Sequence, residues 1–336
     1  MKIPFKRGNI LLPKNTDMTK WSVVACDQYT SEPEYWNSVR EIVGSNPSTL
    51  NLTLPEIYLE ESDVEERIKK INQNMEELVN MIRYSDEEGF IRPHGIKYRE
   101  NQDKNIKLPK VAVGVFSRHL FEDVIEKFSS LEVGYISCAN MDRNVYIIKY
   151  KDVEITFFMA GVSGPWIAGD IEELYAAGVE KVIIFGNCGV LDANIEDCSI
   201  IIPTLGYRDE GTSYHYVPES ETIEINPDYK EEFIDILRKF DFDYTKGATW
   251  TTDAFYRETK DKIKYYKDNG VVCVEMEGTV IAAVCKKLNM KYFTFYYAGD
   301  NLDGTVWNKR SLNGLVNIDK KKEVLLLALE LALVLC

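Results

Sequence analysis

The sequence predicts an α/β fold: a three-layer sandwich with a central mixed β-sheet, preceded by a small α+β N-terminal segment. Two observations predict it. From Lys107 onward, short runs rich in Val, Ile, Phe and Tyr alternate with stretches of helical spacing, as expected of strands in one sheet with helices on both faces. Before Phe90 that alternation is missing. At 336 residues the chain exceeds one average domain, so two units are expected, residues 1–90 and 91–336.

In chain order, Trp21–Tyr29 reads as a short strand and loop, and Pro55–Leu59 as a second extended piece. Ser62–Arg83 reads as a helix. Ser62 is its N-cap with Glu65 three residues on, and Val64, Ile68, Ile71, Met75, Leu78 and Ile82 fall at helical spacing. The segment is small for a core of its own, and Tyr84–Gly89 reads as a linker. Val111–Phe116 is then a strand and His119–Phe128 a helix. Val145–Lys149 and Val153–Met159 flank Tyr150-Lys151-Asp152 as a hairpin. Trp166–Ala177 is a helix; Val182–Phe185 and Ser199–Ile202 are strands. Tyr229–Phe240 is a helix, Thr245–Thr251 a strand, Thr259–Asp268 a helix and Val271–Val274 a strand. Thr279–Leu288, Tyr292–Ala298 and Lys320–Leu335 complete the series as helix, strand and helix. The last contains Glu330 and reads as a buried terminal helix rather than a membrane span.

Composition narrows the function. The formal net charge is −14, which argues against a general nucleic-acid or anionic-membrane binder but not against a local pocket for a small anion. The seven cysteines form no C-x-x-C pair and the chain holds only three histidines, so no metal site is expected. Cysteine usage fits a reducing cytoplasm. The N-terminal stretch lacks an apolar h-region, so no signal peptide is expected.

The chemistry-bearing residues cluster after apolar strands. Val274-Glu275-Met276-Glu277 ends one strand, and Ala298-Gly299-Asp300-Asn301 ends the next. Two carboxylates are thereby delivered to the carboxyl ends of strands, where open α/β sheets build ligand sites. One carboxylate can hold a diol while the other, with a pKa raised beside a buried strand, handles a proton. Taken singly, the glutamates also fit solvated charges at a helix N-terminus, and Asp300 fits a turn aspartate. Gly161-Val162-Ser163-Gly164-Pro165 joins a strand to a helix, where backbone N–H groups can meet an anion or simply pack. Gly186-Asn187-Cys188-Gly189 reads as a second small-residue turn at a strand end. Gly114-Val115-Phe116-Ser117-Arg118 offers Arg118 as an oxyanion clamp or as a surface residue. Phe255 and Tyr256 can stack on a heterocycle or fill a core. His94 lies on a segment with no evident core role.

Together these pieces resemble the nucleoside phosphorylase family, which includes purine nucleoside and uridine phosphorylases and related nucleosidases. The resemblance runs from His94 to the C-terminus. It is carried by a series in the family's order: Gly-x-x-x-Arg, Gly-x-x-Gly-Pro, Gly-x-x-Gly, Arg-x-Glu-Gly-Thr-Ser, Thr-x-Asp-x-Phe-Tyr, Val-Glu-Met-Glu, and a strand ending in Asp. It implies that Glu277, with Glu275 and Met276 of the same motif, holds the ribose, and that His94 reaches the ribose 5′-hydroxyl in a neighbouring subunit's site. It implies that Phe255 stacks on the base and that Asp300 is the catalytic acid protonating N7 of a purine leaving group. Gly114, Arg118, Asn187 and, with a shorter local spacing, Arg143 lent across a dimer interface match phosphate-binding positions. Inorganic phosphate would be the co-substrate, with no cofactor and no metal. The products would be free base and ribose 1-phosphate, made by a cytoplasmic homo-oligomer, dimer or hexamer, of nucleoside catabolism and salvage.

Two departures matter. The usual Pro and Asp of the first phosphate turn are replaced, and Ile184 stands two residues before Gly186, where phosphorolytic members carry an arginine. Losing a cation opens two alternatives: a nucleosidase using water, or a catalytically silent nucleoside-binding regulatory protein. The N-terminal segment, Trp21–Trp36 with Leu54–Leu59, resembles the start of an uncharacterised bacterial domain family and implies no activity.

Overall fold

The structure, a computed structural model, describes residues 84–99, 106–138, 141–312 and 314–336, together with the backbone of residues 2–5 and 8–11. The chain divides into two compact units, Met1–Glu76 and Glu77–Cys336. In the first, β1 (Lys2–Phe5) and β2 (Gly8–Leu11) form an antiparallel hairpin with Phe5 opposite Gly8. The elements expected at Trp21–Tyr29, Pro55–Leu59 and Ser62–Arg83 lie outside the described residues. Tyr84–Gly89 carries neither helix nor strand.

The second unit follows the expected alternation. Its strands are β3 (Val111–Val115), β4 (Ser129–Cys138), β5 (Met141–Tyr150), β6 (Val153–Met159), β7 (Lys181–Val190), β8 (Ile200–Asp209), β9 (Thr222–Glu224), β10 (Tyr244–Thr252), β11 (Val271–Glu275) and β12 (Lys291–Asn301). Its helices are α1 (Arg118–Lys127), α2 (Gly164–Ala176), α3 (Lys230–Lys239), α4 (Lys260–Asp268), α5 (Gly278–Leu288) and α6 (Ile318–Leu335). The ten strands make one mixed sheet in the order β11-β10-β8-β12-β7-β3-β6-β5-β4, with β9 beside β8. The pairs from β7 through β3 to β6 are parallel, whereas β6-β5-β4 is an antiparallel meander.

Side-chain alternation along the central strands builds two cores. In β3 and β7, Val113, Ile183 and Phe185 face Leu120 of α1, Phe233 of α3 and Val324 and Leu331 of α6. Ala112, Val182 and Ile184 face the other way, onto Ile167 and Ile171 of α2 and Val280 and Ile281 of α5. Each fully buried aliphatic side chain contributes about 1.5–3 kcal/mol, which is why the apolar runs specify both helix layers. The terminal helix α6 is buried along most of its length, and Tyr150 and Lys151 satisfy the Glu330 carboxylate within it. Among the described residues no helix is long and apolar enough to cross a membrane.

The β5–β6 hairpin turns on Lys151 and Asp152, both with positive φ (47° and 67°), the backbone a tight two-residue hairpin loop demands. Two strands of the second unit were not anticipated. β4 carries Glu132 and Gly134 at a register shift on the sheet edge, which breaks its alternation, and β9 has only three residues.

One expectation is corrected. Gly186–Gly189 is not a turn: β7 runs straight through it to Val190, paired with β12 from Gly186↔Tyr296 to Val190↔Asn301. The glycines admit neighbouring side chains, as glycine within a strand often does. A Cβ on Gly186 would lie 2.6 Å from the Phe116 ring, and one on Gly189 would lie 2.5 Å from Leu302 Cδ1 and 3.2 Å from Asp300 Oδ1.

Candidate active site

The site is organised by a closure of the sheet. β11, at one end of the strand path, pairs again with β7 in the antiparallel sense, Val274 opposite Gly189. Gly189 also pairs with Asp300 of β12. The ends of β11 and β12 therefore flank one glycine, two strand spacings apart, or roughly 10 Å. That arrangement brings the end of β11, which leads into the Glu275-Met276-Glu277 run, and Asp300 to the same rim.

Glu275 is buried and fully engaged. One carboxylate oxygen accepts from Thr249 Oγ1 (3.0 Å) and Thr251 Oγ1 (2.6 Å). The other accepts from the backbone N–H groups of Glu277 (2.6 Å) and Gly278 (2.5 Å), satisfying the first turn of α5. With these four donors in place Glu275 fixes its neighbour instead of facing a ligand. The network continues outward: Thr279 N donates to Thr251 Oγ1, and Thr279 Oγ1 donates to Glu210, which also accepts from Ser213 N and Oγ. Arg208 Nε donates to Ser213 Oγ at 2.8 Å. The Arg-x-Glu-Gly-Thr-Ser run thus braces the helix that begins beside Glu277.

Glu277 is buried, and one of its oxygens accepts from Ser163 N at 2.7 Å. Burial, aided by the Glu275 carboxylate, pushes its pKa up to about 8. Ser163 sits in the Gly161–Pro165 turn with φ 89° and ψ 156°, a backbone region costly to any residue but glycine. Ser163→Gly is expected to raise the unfolding free energy by roughly 1 kcal/mol. A urea midpoint that stays put or falls would show that the turn is not strained.

Asp300 is buried at the end of β12, and its Oδ2 accepts from Trp307 Nε1 at 2.6 Å. A bridge between Asn301 and Asn308 folds the intervening loop back so that the indole reaches it. Burial raises the Asp300 pKa and the Trp307 bond opposes that shift. Phe255 and Tyr256 lie on the turn after β10, 4.1 Å apart between ring centres and both exposed. Glu258 closes that turn; burial and the Asp300 carboxylate push its pKa up to about 7. Trp307 and Glu258 were missed in the sequence, because neither sits at a strand end or in a recurring spacing.

The residues matched to a phosphate site are dispersed. Gly114 lies within β3, where a Cβ would meet the Phe158 ring at 2.5 Å, so glycine there makes room for packing. Arg118 opens α1 with its side chain 79% exposed and pairs with Glu122 at 2.8 Å. Asn187 is exposed on β7, while Ile184, three residues earlier, is fully buried. Arg143 is buried and donates through both terminal nitrogens to Asp170 of its own chain, one bond being 2.7 Å. Asp170 also accepts from Gly161 N at 2.7 Å, and burial pushes its pKa up to about 6, so it stays ionised at neutral pH. Arg143→Met is expected to cost about 3–5 kcal/mol, with Asp170→Leu in the same chain recovering most of it. Equal urea midpoints for Arg143→Met and wild type would contradict this.

His94 is exposed, and its backbone N–H donates to Glu173 at 2.8 Å, near the C-terminal end of α2. Ser163, bonded to Glu277, precedes that helix's first turn. The intervening helical rise is roughly 15 Å, so within one chain His94 does not join Glu277. Among the described residues no group of three His, Cys, Asp or Glu side chains is arranged to hold a metal ion.

Residues 110–329 match the phosphorylase superfamily, and residues 4–91 match a family of proteins of unknown function, DUF1015. A guanosine phosphorylase from Halorubrum lacusprofundi is 27% identical over 154 residues, 45% of this chain and 63% of the relative. A uridine phosphorylase from Thermococcus kodakarensis is 34% identical over 108 residues, 32% of this chain and 39% of the relative. The chain thus spans less than two thirds of the length of either relative. A DeoD-type purine nucleoside phosphorylase from Bacillus cereus is 25% identical over 176 residues, 50% of this chain and 73% of the relative. In fold, the chain is similar to purine nucleoside phosphorylase from Toxoplasma gondii, solved with immucillin-H. The TM-score is 0.60 at 17% identity, over 73% of this chain and 96% of that one. With the superfamily match extending over most of the second unit, the chain belongs to the phosphorylase superfamily.

Proposed function

We propose that the chain cleaves the N-glycosidic bond of purine nucleosides with inorganic phosphate, giving free base and ribose 1-phosphate. The observation that carries this reading is that Val274 of β11, the strand that leads into Glu277, and Asp300 of β12 pair on either side of Gly189. In this reading Glu277, seated by Glu275, accepts hydrogen bonds from the ribose 2′- and 3′-hydroxyls, and Met276 packs on the sugar. Phe255 stacks on the base, and Asp300 gives a proton to N7 as the C1′–N9 bond breaks. Phosphate needs no cofactor; Arg118, released from its exposed pair with Glu122, is its cation, since such pairs are weak. The named phosphorylases among the relatives support this choice of nucleophile. A cytoplasmic homo-oligomer, with His94 supplied by a second copy, completes the reading.

A second reading, hydrolysis, is favoured by a specific observation. The Phe116 ring packs on Gly186, Ile184 is buried beside it, and Arg143 is committed to Asp170. Two cations are thus missing where an anionic nucleophile would sit. Product analysis separates the readings. With inosine and phosphate, phosphorolysis gives ribose 1-phosphate by phosphorus NMR, whereas free ribose at a rate independent of phosphate makes water the nucleophile.

A further inference from the structure

The two carboxyl oxygens of Asp300 are unequal. Oδ2 accepts from Trp307 Nε1 at 2.6 Å, while Oδ1 takes no hydrogen bond from another residue among those described. Oδ1 lies beside Gly189, where a Cβ would stand 3.2 Å from it, so β7 sends no side chain against it. The loop that carries Trp307 is pinned on both sides. Asn301 and Asn308 exchange backbone hydrogen bonds at 2.8 and 3.0 Å, and Asn301 Oδ1 accepts from Asp303 N at 2.7 Å. Asp303 Oδ2 accepts from Ala193 N at 2.9 Å, and Arg310 donates to Ile195 O at 2.7 Å. The indole is 58% exposed, so burial in a core does not account for its place on a buried carboxyl. Cys188 on β7, Glu258 on the turn after β10 and Arg310 are the other titratable groups whose charges reach Asp300. Among the described residues none of the three hydrogen-bonds its carboxyl.

An indole N–H donates and never accepts, so it holds Oδ2 as an acceptor. In a protonated carboxyl the carbonyl oxygen is the better acceptor, which leaves the proton on Oδ1. We propose that Trp307 is the positioning residue for Asp300: its N–H fixes Oδ2 and so confines the acid proton to Oδ1, the oxygen that delivers it to N7. This rests on the reading of the site as one that cleaves purine nucleosides. As the C1′–N9 bond breaks, its electron pair enters the purine ring, N7 takes the proton from Oδ1, and the base leaves neutral. The Asp300 carboxylate left behind keeps the Trp307 bond, which is now charge-assisted and stronger. The indole therefore stabilises the anion that forms as the proton leaves, a gain absent from the starting complex.

The test measures kcat against pH in the full-length protein, wild type and Trp307→Phe. The substrates are inosine or adenosine, whichever is cleaved faster, and its N7-methylated form. Phenylalanine keeps an aromatic ring and removes the donor. On the unmethylated nucleoside kcat is expected to fall about 10- to 100-fold. The loss of activity with rising pH that Asp300 ionisation causes should move to higher pH, because the bond that lowers its pKa is gone. The methylated nucleoside needs no proton, so its kcat should stay within about threefold of wild type, which also shows that the variant is folded. A Trp307→Phe variant at least as active as wild type, a pH profile that stays in place, or an equal loss on the methylated nucleoside overturns the proposal. If wild type cleaves neither nucleoside, the proposed function fails, and nitrogen–proton NMR decides separately whether Trp307 governs the Asp300 proton. The Trp307 indole signal, assigned by its loss in Trp307→Phe, should shift with pH in wild type and not in Asp300→Asn. A signal that ignores pH, or that shifts alike in Asp300→Asn, overturns the inference.

Discussion

Replacing Asp300 by asparagine is expected to lower kcat on purine nucleosides by roughly 100- to 10,000-fold, the range lost with a general acid, while KM changes little. Asparagine keeps the shape and can still accept from Trp307 Nε1, so the variant removes the proton and not the anchor. Burial raises the pKa of Asp300, which keeps the acid form available at higher pH than an exposed aspartate would. Wild-type activity should therefore fall as pH rises through that raised value, and the variant should lack this limb. A nucleoside already methylated at N7 carries the positive charge that the acid would create. It should recover most of its rate in the variant. Equal losses in kcat and binding, with no rescue by the methylated substrate, would count against an acid role.

Removing the Glu277 carboxylate has a comparable effect by another route. A charged acceptor bonded to two hydroxyls contributes about 1.5–3 kcal/mol per bond, so Glu277→Ala is expected to lose roughly a hundredfold or more in kcat/KM. The same group makes stability depend on pH. Its folded-state pKa, about 8, lies above its ordinary value of 4.5, so the folded chain holds a proton that the unfolded chain has released. The stabilisation from this group is complete below about 4.5, weakens as pH rises, and is gone above about 8. Glu277→Gln should flatten that fall in urea midpoints between pH 5 and 8, to the extent of this one group. Nucleoside binding runs the opposite way, since the diol donates to the ionised carboxylate, and affinity should strengthen as pH rises toward 8.

Much of the fold was legible because apolar runs of β-branched and aromatic residues alternate with helical spacing from Val111 to Leu335. The acids were legible too, since apolar strands that end in carboxylates are rare without a reason. What failed to show was long-range. Gly186 and Gly189 look like turn residues, yet they sit inside β7 because Phe116 and Leu302 need their space. The β7–β11 pairing joins residues far apart in sequence, with no local signature, and it is the feature that brings the end of β11 to the same glycine as Asp300. Arg143 reads as an available cation; its partner Asp170 is 27 residues away on α2, invisible to local spacing. Trp307 reaches Asp300 only because the Asn301–Asn308 bridge folds the loop back.

The most direct measurement is base release from adenosine, inosine and uridine by the full-length protein, with and without inorganic phosphate, beside Glu277→Ala as control. Release of purine from a purine nucleoside, lost in the variant, is the expected result, with phosphate dependence naming the nucleophile. A folded protein that releases base from none of the three, or a Glu277→Ala variant as active as wild type, would contradict the assignment of this rim as a nucleoside-cleaving site.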